Sequence, residues 1–475
     1  MSRIVLGPFN RVEGDLEVTL DVAHGKVNAA YVNSPLFRGF ERMLQGRDPM
    51  DALVLAPRIC GICSVSQATA ASLALADAMK IEVPPNGQYA ANLILANENL
   101  ADHITHFYLF FMPDFARDVY KGRPWFDAVR TRFKAMEGSA AREVVPARAA
   151  FLRLMGYLAG KWPHTLSIQP GGSVRAIGSA EKVRVFSILR QFRRFLEETL
   201  YGDSLESVVS LDSMKALEKW RENRSSGDFA LFLDIAKDLG LQRYGRASDC
   251  FMSYGNYPLQ GKRLFDSGLW QEGLLPLDTD AIIEDVSHSW MEGSALHPSM
   301  GMTEPVPQKE NAYSWCKAPR LGGKVVETGA LARQLVDGHP LLRDLAASTG
   351  GNVYSRVVAR LVETARVQIA MEEWVGKIEP GAPFHRQGGL PHEASGAGLI
   401  EAARGSLGHW LHVHRGRILN YQIISPTTWN FSPRDENGIP GALEQALAGT
   451  PYLEGDALVQ HIVRSFDPCM VCTVH

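Results

Sequence analysis

The segment DPCMVCTVH, residues 467–475, closes the sequence and shares its cysteine spacing with RICGIC, residues 58–63. In each segment two residues separate the cysteines, so both sulfurs can face one ion from a tight turn. If both pairs serve one centre, the two ends of the chain must meet at it. We therefore predict one interwoven domain over 1–475, although the length alone suggests about three domains.

Four chemistries are compatible with these cysteines on spacing alone. A four-cysteine zinc site is sound, although zinc ribbons place their pairs about 15–20 residues apart. A redox-active metal is the second interpretation, a redox dithiol explains one pair but not its duplicate, and unrelated core cysteines are the fourth. Six cysteines in 475 residues do not make a disulfide scaffold, and we interpret the lone Cys250 and Cys316 as small core residues.

Composition excludes several functional classes. Lys and Arg number 49 against 52 Asp and Glu, a formal net charge of −3, which favours neither nucleic acid nor an anionic membrane surface. The uncharged stretch 59–76 approaches membrane length, but its polar residues indicate a buried helix with a metal loop. The start MSRIVLGPFNRVEGD meets charge before any apolar run. We therefore expect no signal peptide, no membrane span and a cytoplasmic location.

Periodicity predicts a mainly α fold with small β elements, built around a bundle of long helices. Alternating apolar residues predict strands over 16–22 and 27–32, joined by a turn at His24-Gly25. Helices are predicted over 68–79, 86–112, 183–201 and 356–374. A polar lead-in at 179–181 precedes the third helix, 224–228 is the best loop candidate, and short extended segments are expected at 323–327 and 418–425.

The residues around both cysteine pairs resemble the signatures of nickel–iron hydrogenase large subunits. RICGIC runs on into SVSQA, and the likeness continues over most of the chain. It includes RVEG (11–14), FRGFE (37–41), DH and HFY (102–108), WCKAPR (315–320), EAARG (401–405), YQ (421–422) and PTTWN (426–430). The resemblance implies the catalytic subunit of an enzyme that splits or forms molecular hydrogen.

The same resemblance implies a ligand set for the metals. Cys60 and Cys469 would be terminal ligands of nickel, whereas Cys63 and Cys472 would also bridge to an iron that carries carbon monoxide and cyanide. Soft thiolates suit a metal that changes its oxidation state. Pro426 and Thr427 are implied to bind this cofactor, with Thr427 donating a hydrogen bond to a cyanide.

Splitting hydrogen needs a Lewis-acidic centre and a nearby base. The resemblance implies that Cys469 takes the proton and that Glu13 is the first relay group outward. Without it, Glu13 is more simply a carboxylate in a turn. Arg404 is implied to lie above the open face of the metals, with Asp102 and Asp467 around it. Because arginine almost never loses its proton, we expect it to orient ligands rather than act as a base.

A second metal site is implied by Glu41, His475 and the backbone carbonyl of Ile423, which resemble the ligands of a structural magnesium. Many relatives are made with an extension after this histidine that is removed once nickel is bound. The chain stops at His475, so we expect it either to be processed already or never to have had that extension.

Three positions depart from the family pattern. Asp15 and Gln67 stand where histidine is usual, and Ala403 stands where proline is usual. An amide at position 67 can still hydrogen-bond a thiolate, but it cannot carry a proton near neutral pH.

The remaining cysteines indicate the partner of this chain, and two apolar residues indicate its physiological role. No cysteines are left for iron–sulfur clusters, so a small subunit carrying such clusters is implied. In the family two residues line the narrow end of a gas passage, and they correspond to Ile62 and Phe110. Hydrogen sensors resemble this chain there, whereas oxygen-sensitive metabolic relatives have valine and leucine. We therefore favour the hydrogen-sensing (regulatory) subclass, signalling through a sensor histidine kinase, over a metabolic uptake hydrogenase.

Overall fold

Helices dominate the computed structural model, which describes residues 2–452 and 455–475. The α-helices, in chain order, are α1 (Phe40–Leu44), α2 (Ala52–Leu55), α3 (Ser64–Met79), α4 (Pro85–Thr105), α5 (Phe126–Phe133), α6 (Ser139–Leu158), α7 (Ser179–Phe195), α8 (Leu205–Val209), α9 (Met214–Glu222), α10 (Asp228–Leu239), α11 (Ala330–Asp337), α12 (Pro340–Thr349), α13 (Val353–Lys377), α14 (Pro426–Asn430), α15 (Ala442–Leu447), α16 (Ala457–Ser465) and α17 (Met470–Thr473). None of the described helices combines the length and the apolar character that a membrane crossing requires.

The strands are short and pair antiparallel in small sheets. They are β1 (Ser2–Leu6), β2 (Glu17–Ala23), β3 (Lys26–Asn33), β4 (Ile168–Gln169), β5 (Gly172–Ser173), β6 (Phe251–Ser253), β7 (Asn256–Leu259), β8 (Lys262–Phe265), β9 (Gly268–Trp270), β10 (Leu274–Leu275), β11 (Ile282–Asp285), β12 (Met291–Glu292), β13 (Glu304–Pro305), β14 (Ala318–Leu321), β15 (Ala394–Ala402), β16 (Gly405–His414) and β17 (Arg417–Ile424). The three-stranded sheets run β1-β2-β3, β10-β9-β6 and β15-β16-β17. The predicted class, mainly α with small β elements, is confirmed.

Long helices form the centre of the molecule. Helices α4 and α13 pack against each other, with α6 and α11 beside them and α7 against both α6 and α13. Helix α3 lies directly on β15, where two glycines permit the approach. A Cβ at Gly398 would lie 1.9 Å from the carbonyl oxygen of Ala70, so any larger residue would separate the helix from the sheet.

Most predicted elements are present, with three corrections. The helix predicted over 183–201 begins at Ser179, so the polar lead-in is its first turn, and it is α-helical to Phe195 before a π-helical turn over Leu196–Tyr201. Glu181 accepts a hydrogen bond from the backbone N–H of Gly178 at 2.9 Å, which closes that turn. The helix predicted to run to residue 112 is α-helical only to Thr105 and continues as a π-helical turn over His106–Phe111. The extended segment predicted at 323–327 begins with a turn at 322–323 and forms no full strand, but isolated bridges join Lys324 to Leu321 and Glu327 to Phe251.

The two ends of the chain meet, as the paired cysteine motifs predict. Glu13 and Cys469 form an isolated parallel bridge. The backbone N–H of Met470 donates to the carbonyl oxygen of Glu13 at 2.7 Å. The N-terminal segment that follows β1 therefore lies beside the last turn of the chain.

Candidate metal centre

All four paired cysteines gather at one buried place. Their sulfurs lie within 4.8 Å of one another. The separations are 3.6 Å for Cys60 and Cys469, 3.0 Å for Cys63 and Cys472, and 3.2 Å for Cys469 and Cys472. All are free thiols and too far apart for the roughly 2.05 Å of a disulfide bond. Four sulfurs at this spacing can share one metal ion.

The backbone around the cysteines positions their sulfurs. Cys63 and Cys469 are the N-cap residues of α3 and α17, so each sulfur stands at the start of a helix. Arg38 joins the two cysteine loops. Its guanidinium donates to the carbonyl oxygen of Ile59 at 2.6 Å and also to that of Val471. The sequence contains Arg38 within a matching motif, but only the structure reveals that it bridges the loops.

Glu13 lies at the edge of the cysteine cluster and is half-buried. Burial raises the pKa of its carboxyl group, and the neighbouring Cys60 raises it further, against the opposing charge of Arg404. A carboxyl group with a raised pKa beside Cys469 can take and release a proton nearer to neutral pH than an exposed glutamate. Asp15, two residues on, is exposed.

Arg404 occupies the two-residue turn between β15 and β16 and is 3% exposed. Its Nε donates to the carbonyl oxygen of Asp467 at 3.0 Å, and Nη2 donates to Oδ1 of Asp102 at 3.1 Å. Nη1 lies 2.6 Å from Oδ2 of Asp102. Burial alone would lower the pKa of Arg404, but the two carboxylates raise it well above its usual value, so the guanidinium stays charged.

A buried ion network holds the turn that carries Arg404. Arg333 donates to the carbonyl oxygens of Ala402 and Ala403, both at 2.9 Å. It also pairs with Glu363 at 2.7 Å and with Glu401 at 2.9 Å. Nothing in the sequence pattern marks Arg333, because its partners lie on other helices and strands. Ala403, where proline is usual, is thus held by hydrogen bonding to its carbonyl group.

Thr427 contacts the backbone of a cluster cysteine. Its Oγ1 accepts a hydrogen bond from the N–H of Cys469 at 3.1 Å, which leaves the hydroxyl hydrogen available for another acceptor. Pro426 is the first residue of α14 and is buried. The role of both residues in binding the cofactor stays a prediction.

The residue at position 67 connects the cluster to a group that the sequence analysis missed. The Gln67 side-chain N–H₂ lies 4.0 Å from the sulfur of Cys472, and its Oε1 lies 2.8 Å from Nε2 of His409. Nδ1 of His409 lies 2.8 Å from the hydroxyl of Tyr421. Burial lowers the pKa of His409 to about 3, so this histidine is neutral. In the sequence, the departure at Gln67 is the signal that points to another polar group nearby.

Glu41, Ile423 and His475 surround a cavity of about 20 Å³. Oε1 of Glu41 lies 3.1 Å from Nε2 of His475 and accepts the backbone N–H of Ile423 at 2.7 Å. Burial would raise the pKa of Glu41, but the charges of Lys317 and His475 lower it to about 2. A carboxylate, an imidazole and room for about one small ion suit Mg²⁺, which favours oxygen ligands and bound water. The magnesium assignment itself stays a prediction.

The remaining predicted residues are the two candidates for the gas passage and the two lone cysteines. Ile62 is half-buried and packs against the main core, and Phe110 is half-buried in the π-helical turn. Their role as a constriction stays a prediction. Cys250 and Cys316 are buried outside the cluster, 2% and 0% exposed, as expected of core residues.

The side chains around the cysteines fit a nickel–iron centre. Within the described part of the chain, Nη1 of Arg404, Oδ2 of Asp102 and Oδ1 of Asp467 have ionic neighbours but no aligned hydrogen bond. The guanidinium Nη1 can therefore still donate to an acceptor ligand on a metal, whereas the carboxylate oxygens need donors such as water. Four soft sulfur donors with charged groups alongside suit a redox-active metal better than a purely structural zinc site, which needs no such surroundings.

Comparison with known proteins identifies relatives along the whole chain. The family model described as nickel-dependent hydrogenase matches residues 38–122 and 143–475. The chain is 32% identical to the periplasmic [NiFeSe] hydrogenase large subunit of Desulfomicrobium baculatum, covering 100% of this chain and 95% of that protein. It is 27% identical to the hydrogenase-2 large chain of Escherichia coli (strain K12), covering 100% and 97%. The solved Ni-Fe-Se hydrogenase of D. vulgaris Hildenborough in the reduced state superimposes with a TM-score of 0.85 at 30% identity, covering 100% of both chains.

Proposed function

The chain belongs to the nickel-dependent hydrogenase family as a large catalytic subunit, and we propose that it splits and forms hydrogen at its four paired cysteines. The observation that carries this proposal is the buried cluster of four free thiols where the two ends of the chain meet. Nickel, with an iron bearing carbon monoxide and cyanide, is the metal content that we propose for it. When bound, such a centre supplies the Lewis acidity that makes hydrogen acidic enough to lose a proton.

Three protein groups around the centre have separate proposed roles. Cys469 is the proposed acceptor, because its backbone pairs with that of Glu13 in an isolated bridge. Glu13 is half-buried and has a raised pKa, which suits a group that passes a proton from the buried cluster toward solvent. Arg404 remains charged and is held by Asp102 and Asp467, so its proposed role is to orient small ligands.

Metal analysis tests the proposal directly. Purified protein should contain nickel and iron in about equal amounts, with infrared bands from carbon monoxide and cyanide. Cys60→Ser should lose nickel, whereas Cys250→Ser, equally buried but outside the cluster, should keep both metals. Stoichiometric zinc without such bands would overturn the proposed function.

A partner for electron transfer is part of the proposal. The relatives are named large subunits or large chains, which supports a smaller partner. Since four of the six cysteines form the cluster and the other two are separate core residues, iron–sulfur clusters would have to lie on that partner. A cytoplasmic location stays a prediction.

Two physiological roles share this chemistry. The names of the relatives favour metabolism: one, from Azotobacter chroococcum mcd 1, is an uptake hydrogenase large subunit, 29% identical over 100% of this chain and 95% of that protein. None of the relatives named above is described as a hydrogen sensor or tied to a kinase. Ile62 and Phe110 favour the sensor interpretation, and oxygen tolerance is the property that would support it.

A further inference from the structure

A carboxylate that the mechanism above does not use lies next to the cysteine cluster. Glu98 is on α4 and is 2% exposed. Oε2 accepts hydrogen bonds from the backbone N–H of Val65 at 2.8 Å and from the indole N–H of Trp162 at 3.0 Å. Oε1 accepts from Ser66 twice, from the backbone N–H at 2.9 Å and from the hydroxyl at 3.0 Å. Burying a carboxylate costs free energy unless hydrogen-bond donors compensate for it. The placement of Glu98 among these donors therefore requires an explanation.

The explanation lies in how α3 begins. The first amide groups of a helix have no partner inside it, and the side chain of the N-cap residue usually accepts from them. The N-cap of α3 is Cys63, and its side chain makes no such hydrogen bond. The sulfur of Cys63 is instead 3.0 Å from that of Cys472, inside the cluster. A cysteine that serves the cluster cannot also cap its helix.

Glu98 supplies the missing cap from another helix. Val65 and Ser66 are the second and third residues of α3, the positions whose amides a capping side chain satisfies. A negative charge there is also favoured by the dipole of a helix of 16 residues. The carboxylate therefore fixes the first turn of α3, which carries Cys63 at its start.

Two further contacts extend this anchor. The hydroxyl of Ser64 donates to Oε2 of Glu98 at 3.3 Å and accepts the backbone N–H of His164 at 3.2 Å. One turn further along α4, Asp102 pairs with Arg404. Residues four apart lie on one face of a helix, so a single face of α4 supports both Cys63 and Arg404.

We propose that Glu98 is a positioning residue of the metal centre, which caps α3 in place of Cys63 and so holds the sulfur of Cys63 for the metals. This inference rests on the proposed function, because it assigns Glu98 a role toward a centre that the cysteines would hold. Loss of this cap should therefore change the spectra of the metals as well as the hydrogen exchange of the first turn of α3.

The test compares Glu98→Gln with Glu444→Gln in the assembled holoenzyme. Glutamine keeps the shape but presents one acceptor oxygen, and its N–H₂ group would face donors. Glu444 is a matched control, being 1% exposed and accepting the backbone N–H groups of Val32 and Gly441. Its hydrogen-bond partners, Val32, Tyr313 and Gly441, lie outside α3 and outside both cysteine loops.

Amide hydrogen exchange reports the cap, and infrared and electron paramagnetic resonance spectra report the metals. In Glu98→Gln we expect exchange at Val65 and Ser66 to rise at least about tenfold, the equivalent of one lost hydrogen bond. We also expect shifted spectra at unchanged metal content. Glu444→Gln should lose a similar amount of thermal stability and leave both readouts as in wild type.

Each other outcome has a defined meaning. Faster exchange with unshifted spectra would overturn the proposal, because the cap would then be structural only. Unchanged exchange would overturn it at the first step. If Glu98→Gln does not assemble, Trp162→Phe removes one donor from the same carboxylate and should shift the spectra less in the same direction; unshifted spectra there overturn the proposal. A wild type without nickel would refute the proposed function, whereas the exchange result would still decide whether Glu98 caps α3.

Discussion

Replacing Arg404 by lysine separates charge from geometry at the proposed centre. Lysine keeps one positive charge between Asp102 and Asp467. It replaces three nitrogen donors in a planar fork by one ammonium group on a flexible stem. We expect a steep loss of activity with the metals still in place.

The contacts of the guanidinium set the size of that loss. Arg404 makes two hydrogen bonds, at 3.0 and 3.1 Å, besides close ion pairs to both carboxylates at 2.6 and 3.2 Å. One ammonium can keep a close pair with one carboxylate, so at least one charge-assisted hydrogen bond is lost, worth about 1.5–3 kcal/mol. If that difference acts on the transition state, the rate falls roughly tenfold to somewhat more than a hundredfold.

Hydrogen–deuterium exchange catalysed by the assembled enzyme is the assay, with nickel and iron measured on the same sample. Arg320→Lys is the control, because Arg320 is 2% exposed and pairs with Asp435 at 2.8 Å. That variant should lose stability and keep its activity per nickel. If the Arg404→Lys enzyme, at full metal content, catalyses isotope exchange at a rate within about twofold of wild type, the positional role is refuted and only the charge of Arg404 matters.

Three further predictions follow from the placement of other residues. Glu13→Gln should lower isotope exchange by orders of magnitude with nearly intact infrared bands, because an amide cannot relay a proton; unchanged exchange would move the relay elsewhere. Wild type should stay active under air, whereas the double variant Ile62→Val with Phe110→Leu should admit oxygen and lose activity, because a close-packed interior has little slack and smaller side chains widen the passage. If the double variant tolerates oxygen as well as wild type does, the support for a sensor is removed. Buried histidines should make stability fall in acid, because burial lowers the pKa values of His106, His409 and His461 to about 3, 3 and 4. Their stabilising effect is complete above pH 6.5 and is lost toward pH 4 for His461 and toward pH 3 for the other two, by up to about 1.4 kcal/mol per pH unit each. In thermal unfolding at pH 7, 6 and 5, His461→Gln should make the fall in stability shallower than in wild type, and an unaltered slope would contradict the assignment.

The sequence predicted well wherever a pattern is local. Alternation marked β2 and β3, and apolar spacing marked α3, α7 and α13, to within a few residues at most ends. The edge strand β1 was missed because its side chains are mostly exposed and show no buried alternation. The π-helical turn after α4 was missed because apolar periodicity does not distinguish a widened turn from an α-helix.

Cysteine spacing predicted that the two ends of the chain meet, on the condition that both pairs serve one metal centre, since one centre cannot be shared by distant segments. The family likeness added which residues to expect around it. Only the tertiary structure could reveal that Arg38 joins the cysteine loops, that Arg333 holds the turn of Arg404 and that Glu98 caps the helix of Cys63. Each of these side chains acts on backbone groups far away in the sequence. A contact between a side chain and a distant backbone leaves no periodicity or motif, because any residue at the receiving position supplies the same carbonyl or amide.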